Sequence, residues 1–341
     1  MSARSLVPDL AAVSATVRRR LDLDDGLPQV WPDDVATYHG RPVVKEPEWT
    51  WEVPWYLFAG GVAGSAAVIA AVEAASGREA SARRARVLAA AGGALGPPLL
   101  IADLGRPKRF LHMLRVFKPT SAMSVGSWGL AAFNGASTGA VMTDQLAPLR
   151  SLRPLADATS AGLGTLMSTY TGVLVADSAI PVWHHARREL PALFASSAVA
   201  SAAGLLQTVA PQPQTRRLAL GGAVAELAVD RRMHRHLGAL GEVYEHGDVG
   251  RWSKAAKACT AAGAALSALP SRWGQRLGGA FVAAGGLCQR WAVYRAGFAS
   301  AADPRHVVVP QRERRARRAA QRAGDDDAPH AREGREGGDR S

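Results

Sequence analysis

The chain has 341 residues, a formal net charge of +12 and a mean hydropathy near zero, at −0.04. This average hides an uneven distribution, because both ends are polar and charged while the middle is a series of apolar blocks rich in Ala, Gly, Leu and Val. The basic residues stand in short clusters between these blocks. That pattern is typical of loops at an anionic membrane surface and disfavours a continuous nucleic-acid-binding face.

The apolar blocks predict membrane-spanning helices, whose small residues let neighbouring helices approach closely. In chain order the eight segments cover residues 55–75, 87–102, 124–141, 158–180, 190–210, 218–229, 255–269 and 277–294. The sixth is short for a span and has to extend into charged flanks or be buried by its neighbours, so seven spans are an alternative count. We predict an all-α, polytopic membrane helix bundle of about eight transmembrane helices over residues 53–300.

Two polar segments flank the predicted bundle: an N-terminal arm over residues 1–52 and a basic, disordered C-terminal tail over residues 301–341. The arm lacks the apolar core of a cleavable signal peptide. An even number of spans places both ends on one side, and the basic clusters at 106–118 and 231–254 favour the cytoplasm for that side. The expected location is the plasma membrane, with the chain N-in and C-in.

The connection between the second and third segments is strongly patterned. A turn signal at residues 103–107 is followed by an amphipathic segment that has Phe110 and Phe117 among its apolar positions. Asp103 and Arg106 flank the tight turn and are expected to form a local ion pair that structures the loop. A direct contact of these two residues with a ligand is the alternative.

Redox metal centres are not expected in this chain. Its two cysteines, Cys259 and Cys288, lie in apolar segments, and no Cys-x-x-Cys motif is present for an iron–sulfur cluster or a structural zinc ion. A haem site would need histidine ligands within the spans, whereas the histidines fall in loops or at segment ends. We therefore predict no haem, no iron–sulfur cluster and no metal site.

Several of these stretches together resemble one protein family. They are the Gly60-Gly61 start of the first segment, the loop at 103–110, the stretch at 119–128 with Trp128, and residues 170–183. The chain resembles the NrfD/PsrC family, the membrane subunits of polysulfide, nitrite and related respiratory reductases, over about residues 38–312. Residues 38–42 and 303–312 resemble a subgroup found beside molybdopterin oxidoreductases, including formate-dehydrogenase-like enzymes.

The resemblance implies an eight-helix, quinone-reactive anchor without its own redox centre, with menaquinone as the expected quinone. Its implied partners are a ferredoxin-like 4Fe-4S subunit and a molybdopterin catalytic subunit. Electrons would pass between these partners and the quinone. The chain would then be a non-catalytic or quinone-site subunit of the complex. Two alternatives are a proton-translocating or transporter-like module and a passive anchor without quinone chemistry.

Ionisable and polar residues within the segments are the candidates for quinone binding and proton relay, because such groups are costly inside a membrane. Tyr170, Asp177 and His184 are spaced seven apart, near one face of a predicted helix, although Pro181 disturbs the last step. Their phenol, carboxylate and imidazole suit hydrogen bonding to a quinone and proton delivery. Alternatively, they are an interfacial tyrosine, a helix-end aspartate and an exposed histidine.

Two further candidates lie in other segments. Glu226, in the short sixth segment, is expected either to relay protons or to pair structurally with an arginine such as Arg290. Asn134, in the third segment, can hydrogen-bond either a helix or a ligand. Trp128 and Trp183 are expected to be anchors at the membrane interface.

Overall fold

The computed structural model describes residues 44–104 and 108–303, and within them it contains α-helices and short 3₁₀ segments. The α-helices are α1 (Glu52–Ala75), α2 (Glu79–Asp103), α3 (Lys108–Met113), α4 (Ala122–Gln145), α5 (Arg153–Ala176), α6 (Pro181–His185), α7 (Leu190–Val209), α8 (Pro213–Leu237), α9 (Gly247–Ala268) and α10 (Arg272–Ala302). The predicted all-α class is confirmed for this part of the chain. The outer parts of the predicted arm and tail, residues 1–43 and 304–341, lie outside it.

In the described part of the chain, three helices, α1, α2 and α7, are long and apolar enough to cross a membrane. The shortest of the eight long helices, α7, has 20 residues, and a helix of that length spans about 30 Å, the thickness of a bilayer core. α4, α5, α8, α9 and α10 are at least as long but less apolar. The membrane character of the chain is therefore supported, while the count of eight spans stays a prediction.

The eight long helices form two groups of four that are built in the same order. In the first group α1 packs on α2 and α5, and α4 packs on α2 and α5; in the second group α7 packs on α8 and α10, and α9 packs on the same two helices. The groups meet where α7 packs on α1 and α5 and where α10 packs on α1. The interior of each group and the interface between the groups are thus the sheltered places for polar side chains.

Connections between the long helices alternate between two faces of the bundle. The N-terminal face carries residues 44–51, 114–121, 177–189 and 238–246, and the opposite face carries residues 76–78, 146–152, 210–212 and 269–271. On the N-terminal face the Tyr294 hydroxyl donates to the Trp49 carbonyl at 2.8 Å, and the Trp49 ring stacks on Trp183. These contacts join the beginning of α1 to the end of α10.

Paired glycines let the backbones of two helices touch in each group. A Cβ atom added at Gly164 of α5 would lie 2.5 Å from the Gly64 carbonyl oxygen of α1. One added at Gly204 of α7 would lie 2.6 Å from the Gly279 carbonyl oxygen of α10. Only glycine allows such close approach, as expected for small residues at the contacts of membrane helices.

Most of the long helices extend beyond the predicted segments, and three differences bear on the charged residues and the candidate site. α2 begins at Glu79, so the arginines at 83, 84 and 86 belong to a helix instead of a loop. α8 covers 25 residues, so the short sixth segment is part of a longer helix that extends into its charged flanks. α5 ends at Ala176, before residue 180, because proline lacks a backbone N–H and disfavours a continuing helix; Pro181 instead begins α6.

Candidate functional site

A buried pair of opposite charges lies near the middle of the bundle. Glu226 on α8 and Arg290 on α10 are only 2% and 1% exposed. The Arg290 guanidinium stacks on the Phe194 ring at 3.9 Å, and its Nη2 donates to the Phe194 carbonyl at 2.9 Å. Arg290 also reaches the first group of helices, because a Cβ atom added at Gly61 of α1 would lie 3.5 Å from Nη2.

Several polar atoms of this centre have no hydrogen-bond partner within the described residues. They are Glu226 Oε2, Arg290 Nε and Nη1, and Ser201 Oγ, whereas the Ser197 hydroxyl interacts with the Glu226 carboxylate. Glu226 and Arg290 interact electrostatically, although no oxygen–nitrogen contact within 4 Å joins them in this part of the chain. The structure thus brings Glu226 and the expected partner Arg290 together as an electrostatic pair, and the alternative role of Glu226 in proton relay stays a prediction. Polar groups buried in this way require a partner, which a ligand or water supplies.

A second polar cluster lies one turn further along α8, toward the N-terminal face. The Asp230 carboxylate is buried and contacts Lys257 Nζ at 3.2 Å and Gln289 Nε2 at 3.4 Å. His234 Nδ1 lies 3.5 Å from the same carboxylate, and the His234 ring is 5.0 Å from the Tyr244 ring. The cluster joins α8, α9, α10 and the 3₁₀ segment Gly238–Tyr244.

The predicted alignment of Tyr170, Asp177 and His184 on one helical face is wrong. Asp177 is the residue at which α5 ends, with φ −80° and ψ 57°, and His184 belongs to the separate helix α6. Asp177 and His184 are exposed on the N-terminal face, whereas Tyr170 is buried and donates to the Ala122 carbonyl at 2.7 Å. The three side chains therefore do not form one row, and the Tyr170 hydroxyl proton is already engaged.

Asn134 takes part in helix–helix contact. Its amide nitrogen donates to the Leu130 carbonyl within α4 at 3.0 Å, and its Oδ1 faces Gly93 of α2, where an added Cβ atom would lie 2.7 Å away. Of the two expected roles of Asn134, the structure contains the hydrogen bond to a helix, which is its own helix α4, and the side chain also packs against α2.

Two tryptophans have different environments. Trp128 is 40% exposed and meets Phe117 edge-on, in keeping with the expected interfacial anchor. Trp183 is fully buried, stacks on Trp49 and donates its indole N–H to the Val293 carbonyl at 2.7 Å. The expectation of an interface anchor is wrong for Trp183, because α6 folds back between the beginning of α1 and the end of α10.

Asp103, at the end of α2, forms hydrogen bonds with the segment that precedes α1. Its Oδ1 accepts from the Thr50 backbone N–H at 2.9 Å and from the Thr50 hydroxyl at 2.7 Å. Arg106 lies outside the described residues, so the predicted ion pair with Asp103 stays a prediction.

We expect Asp103→Ala to lower the free energy of unfolding by about 2 kcal/mol, because two hydrogen bonds to a charged acceptor are lost. Thr50→Val removes one of the two bonds and should cost less. Thermal unfolding of the detergent-solubilised protein measures both changes, and equal stability of Asp103→Ala and the wild type would contradict the assigned role.

A buried ion network near the opposite face was not predicted from the sequence. Arg86 of α2 contacts Asp157 of α5 at 2.6 Å and Asp144 of α4 at 2.8 Å. Arg153 joins Asp144 to Glu79 at 3.2 and 3.3 Å. The available signal was the presence of both charge signs at the ends of neighbouring apolar segments, but nothing in the sequence says which of these residues meet.

The fold and these buried polar centres define the class of the protein: a polytopic helical membrane protein with ionisable groups inside its bundle. A family model described as polysulfide reductase, NrfD_2, matches residues 35–301. Since the match covers most of the chain, the chain belongs to the NrfD family of polysulfide-reductase-type membrane subunits. This family is integral to the membrane and associates with molybdoenzyme complexes. No curated protein matches the chain significantly.

Proposed function

We propose that this chain is the quinone-reactive membrane subunit of a molybdopterin oxidoreductase complex. Electrons pass between a ferredoxin-like 4Fe-4S partner and menaquinone, and this subunit binds the quinone within its helix bundle. Family membership supports the association with a molybdoenzyme. We further propose eight spans in the plasma membrane with both termini in the cytoplasm, an orientation supported by basic residues of the N-terminal face such as Lys118, Arg187 and Arg188.

The observation that carries the proposal is the buried Glu226–Arg290 pair. A carboxylate and a guanidinium are expensive to bury in a membrane helix bundle, and both keep polar atoms without a partner among the described residues. A purely structural pair would be expected to satisfy these atoms directly. Their arrangement favours a site that interacts with a polar group of a bound molecule.

The residues around this pair fit the chemistry of a quinone. A quinone supplies a two-electron, two-proton couple, and its carbonyl oxygens accept hydrogen bonds. Arg290 Nε and Nη1 are donors without a partner in residues 44–104 and 108–303, and Phe194 provides an apolar surface beside them. Glu226 is the group that can exchange protons. Tyr170, Asp177, His184 and Asn134 stay second candidates, because their polar atoms are bonded or exposed.

Quinone turnover by the intact complex tests this function. The complex is isolated through an affinity tag on this chain, and a reduced viologen dye supplies electrons to its iron–sulfur subunit. We expect co-purification of iron–sulfur and molybdopterin subunits and reduction of a soluble naphthoquinone. Glu226→Gln should lower turnover about 10²-fold, the usual contribution of a positioned proton-transfer group.

The matched control is Glu73→Gln, which also removes a buried carboxylate but one that is paired with Arg78 at the opposite face. This variant should turn over like the wild type. Tyr170→Phe and Asp177→Asn test the site expected from the sequence, and a larger loss in them than in Glu226→Gln would move the quinone site to the end of α5. A complex with both partners but no quinone reduction would indicate a passive anchor; a chain without these partners would favour a transporter.

A further inference from the structure

A line of titratable side chains connects the buried Glu226 with the N-terminal face. We infer that His234 and Asp230 carry protons between water at this face and Glu226, an inference that rests on the quinone chemistry proposed above. Asp230 and His234 are distinct from the groups proposed to bind the quinone, and Glu226 is where the line meets them. The inference places a proton route within the second group of helices. It also predicts that protons are taken up at the N-terminal face.

The three residues occupy one face of α8. Glu226, Asp230 and His234 are spaced four apart, and residues with this spacing lie above one another on a helix surface. Each step rises about 6 Å along the helix axis. Glu226 lies about 16 Å from the end of α8, so the line covers most of the distance from the bundle centre to the N-terminal face. One water molecule per step is enough to bridge such a gap.

Asp230 occupies the middle of the line, and groups from every neighbouring element surround it. Lys257 of α9 supplies a counter-charge at 3.2 Å, and Gln289 of α10 donates at 3.4 Å. The Lys257 side chain is 43% exposed, whereas that of Asp230 is 5% exposed. The carboxylate is therefore sheltered from the membrane but only one side chain away from the protein surface.

His234 is placed to exchange protons at the outer end of the line. Its Nδ1 lies 2.8 Å from the Asp230 carbonyl oxygen, which as acceptor assigns the proton of the neutral ring to Nδ1. Nε2 is then a free acceptor, and it has no hydrogen-bond partner among the residues described.

Tyr244 covers this end of the line. Its ring packs on His234, and its hydroxyl likewise lacks a partner in the described part of the chain. Burial raises the pKa of Tyr244, so its phenol stays neutral and remains a hydrogen-bond donor. The outer end of the line thus holds an unpaired acceptor next to an unpaired donor.

The proton count follows from the quinone couple. In the direction of reduction, the iron–sulfur partner supplies two electrons, and two protons from water at the N-terminal face form the two O–H bonds of the quinol. Each proton binds His234 Nε2, the ring releases its Nδ1 proton to the Asp230 carboxylate, and the carboxylate passes it to Glu226. Proton exchange through water returns the ring to the Nδ1–H tautomer before the next transfer. Oxidation of quinol releases two protons by the same route in reverse.

The test uses the isolated complex with a viologen donor and a soluble naphthoquinone, in vesicles with a pH-indicating dye on one side. We expect Asp230→Asn to lower quinone turnover about 10²-fold and His234→Gln about tenfold, because each removes one proton-carrying group. Added imidazole should restore part of the activity of His234→Gln. Proton uptake should occur on the side of the N-terminal face.

Two matched variants separate proton transfer from structure. His246 has a similar contact, with Nδ1 3.2 Å from the Glu242 carbonyl, but is exposed on the same face, so His246→Gln should leave turnover unchanged. Lys257→Met removes the ion pair of Asp230 but keeps the carboxylate, so its loss should be much smaller than that of Asp230→Asn. The recovery of intact complex is measured for every variant and identifies variants that fail to fold. If Asp230→Asn fails to fold, Asp230→Glu takes its place in the test.

The outcomes distinguish the route from the function on which it rests. Wild-type turnover together with unaffected Asp230→Asn and His234→Gln variants would overturn the route alone. An equal loss in Lys257→Met and Asp230→Asn would assign Asp230 a structural role and also overturn it. A wild-type complex that reduces no quinone would overturn the proposed function and the route with it.

Discussion

Replacing Arg86 by methionine should lower the free energy of unfolding by about 3–5 kcal/mol, the usual cost of removing one partner from a buried ion pair. Arg86 is 1% exposed and bonds two carboxylates from two other helices, Asp157 at 2.6 and 2.7 Å and Asp144 at 2.8 Å. Without it, two buried negative charges face each other, and only Arg153 remains nearby. Thermal unfolding of the detergent-solubilised protein measures the loss.

The control for this prediction is Arg83→Met on the same helix, because Arg83 is exposed and should change stability little. A triple variant, Arg86→Met with Asp144→Asn and Asp157→Asn, should recover part of the loss, since the uncompensated charges are then removed. If Arg86→Met were no less stable than Arg83→Met, the network would not hold α2, α4 and α5 together.

Gly164→Ala should separate α5 from α1 and destabilise the first group of helices by about 1–3 kcal/mol, the range for overpacking a close contact. The added Cβ atom would lie 2.5 Å from the Gly64 carbonyl oxygen and 3.1 Å from the Ala67 Cβ atom. The nearest obstacle is backbone, which a side-chain rotation cannot relieve. Thermal unfolding and the yield of intact complex report the effect.

Gly162 is a control two residues away on the same helix. A Cβ atom added there meets nothing within 4 Å, so Gly162→Ala should be neutral or stabilising by up to about 1 kcal/mol through its better helix propensity. Gly204→Ala repeats the test in the second group, where the obstacle is the Gly279 carbonyl oxygen at 2.6 Å. Equal stability of Gly162→Ala and Gly164→Ala would contradict the close approach of α1 and α5.

Features that depend on local composition were predicted well. The first and fifth apolar segments, 55–75 and 190–210, nearly coincide with α1 and α7, because a continuous apolar stretch of about 20 residues is itself the signal for a membrane helix. The motifs around residues 103–128 and 170–183 indicated the NrfD family, which the match over residues 35–301 confirms. These features can be predicted from the sequence without knowing which helices pack against each other.

The end of α5 was predicted less well. Because of this error the sequence placed the candidate quinone site at the end of α5, whereas the structure favours the buried pair Glu226 and Arg290. The spacing of Tyr170, Asp177 and His184 suits one face of a continuous helix, but the turn at Asp177 and the new helix beginning at Pro181 break the alignment. From the sequence alone, Pro181 indicates only a disturbance of the last step between Asp177 and His184. Since both a kinked and a broken helix are compatible with proline, the packing of Trp183 against α10 decided between them.

The sequence by itself determined that this chain is a helical membrane protein of the NrfD family, since apolar blocks, small residues and short motifs are local properties. Only the tertiary structure decided which buried charges share a site. Arg86 and Asp157 are 71 residues apart, and Glu226 approaches Arg290 across two different helices. The periodicity of the sequence defines the apolar and polar faces of each helix, but not how the helix is rotated or which helices it packs against. Many packings bury a similar apolar area, and the polar contacts between helices select among them.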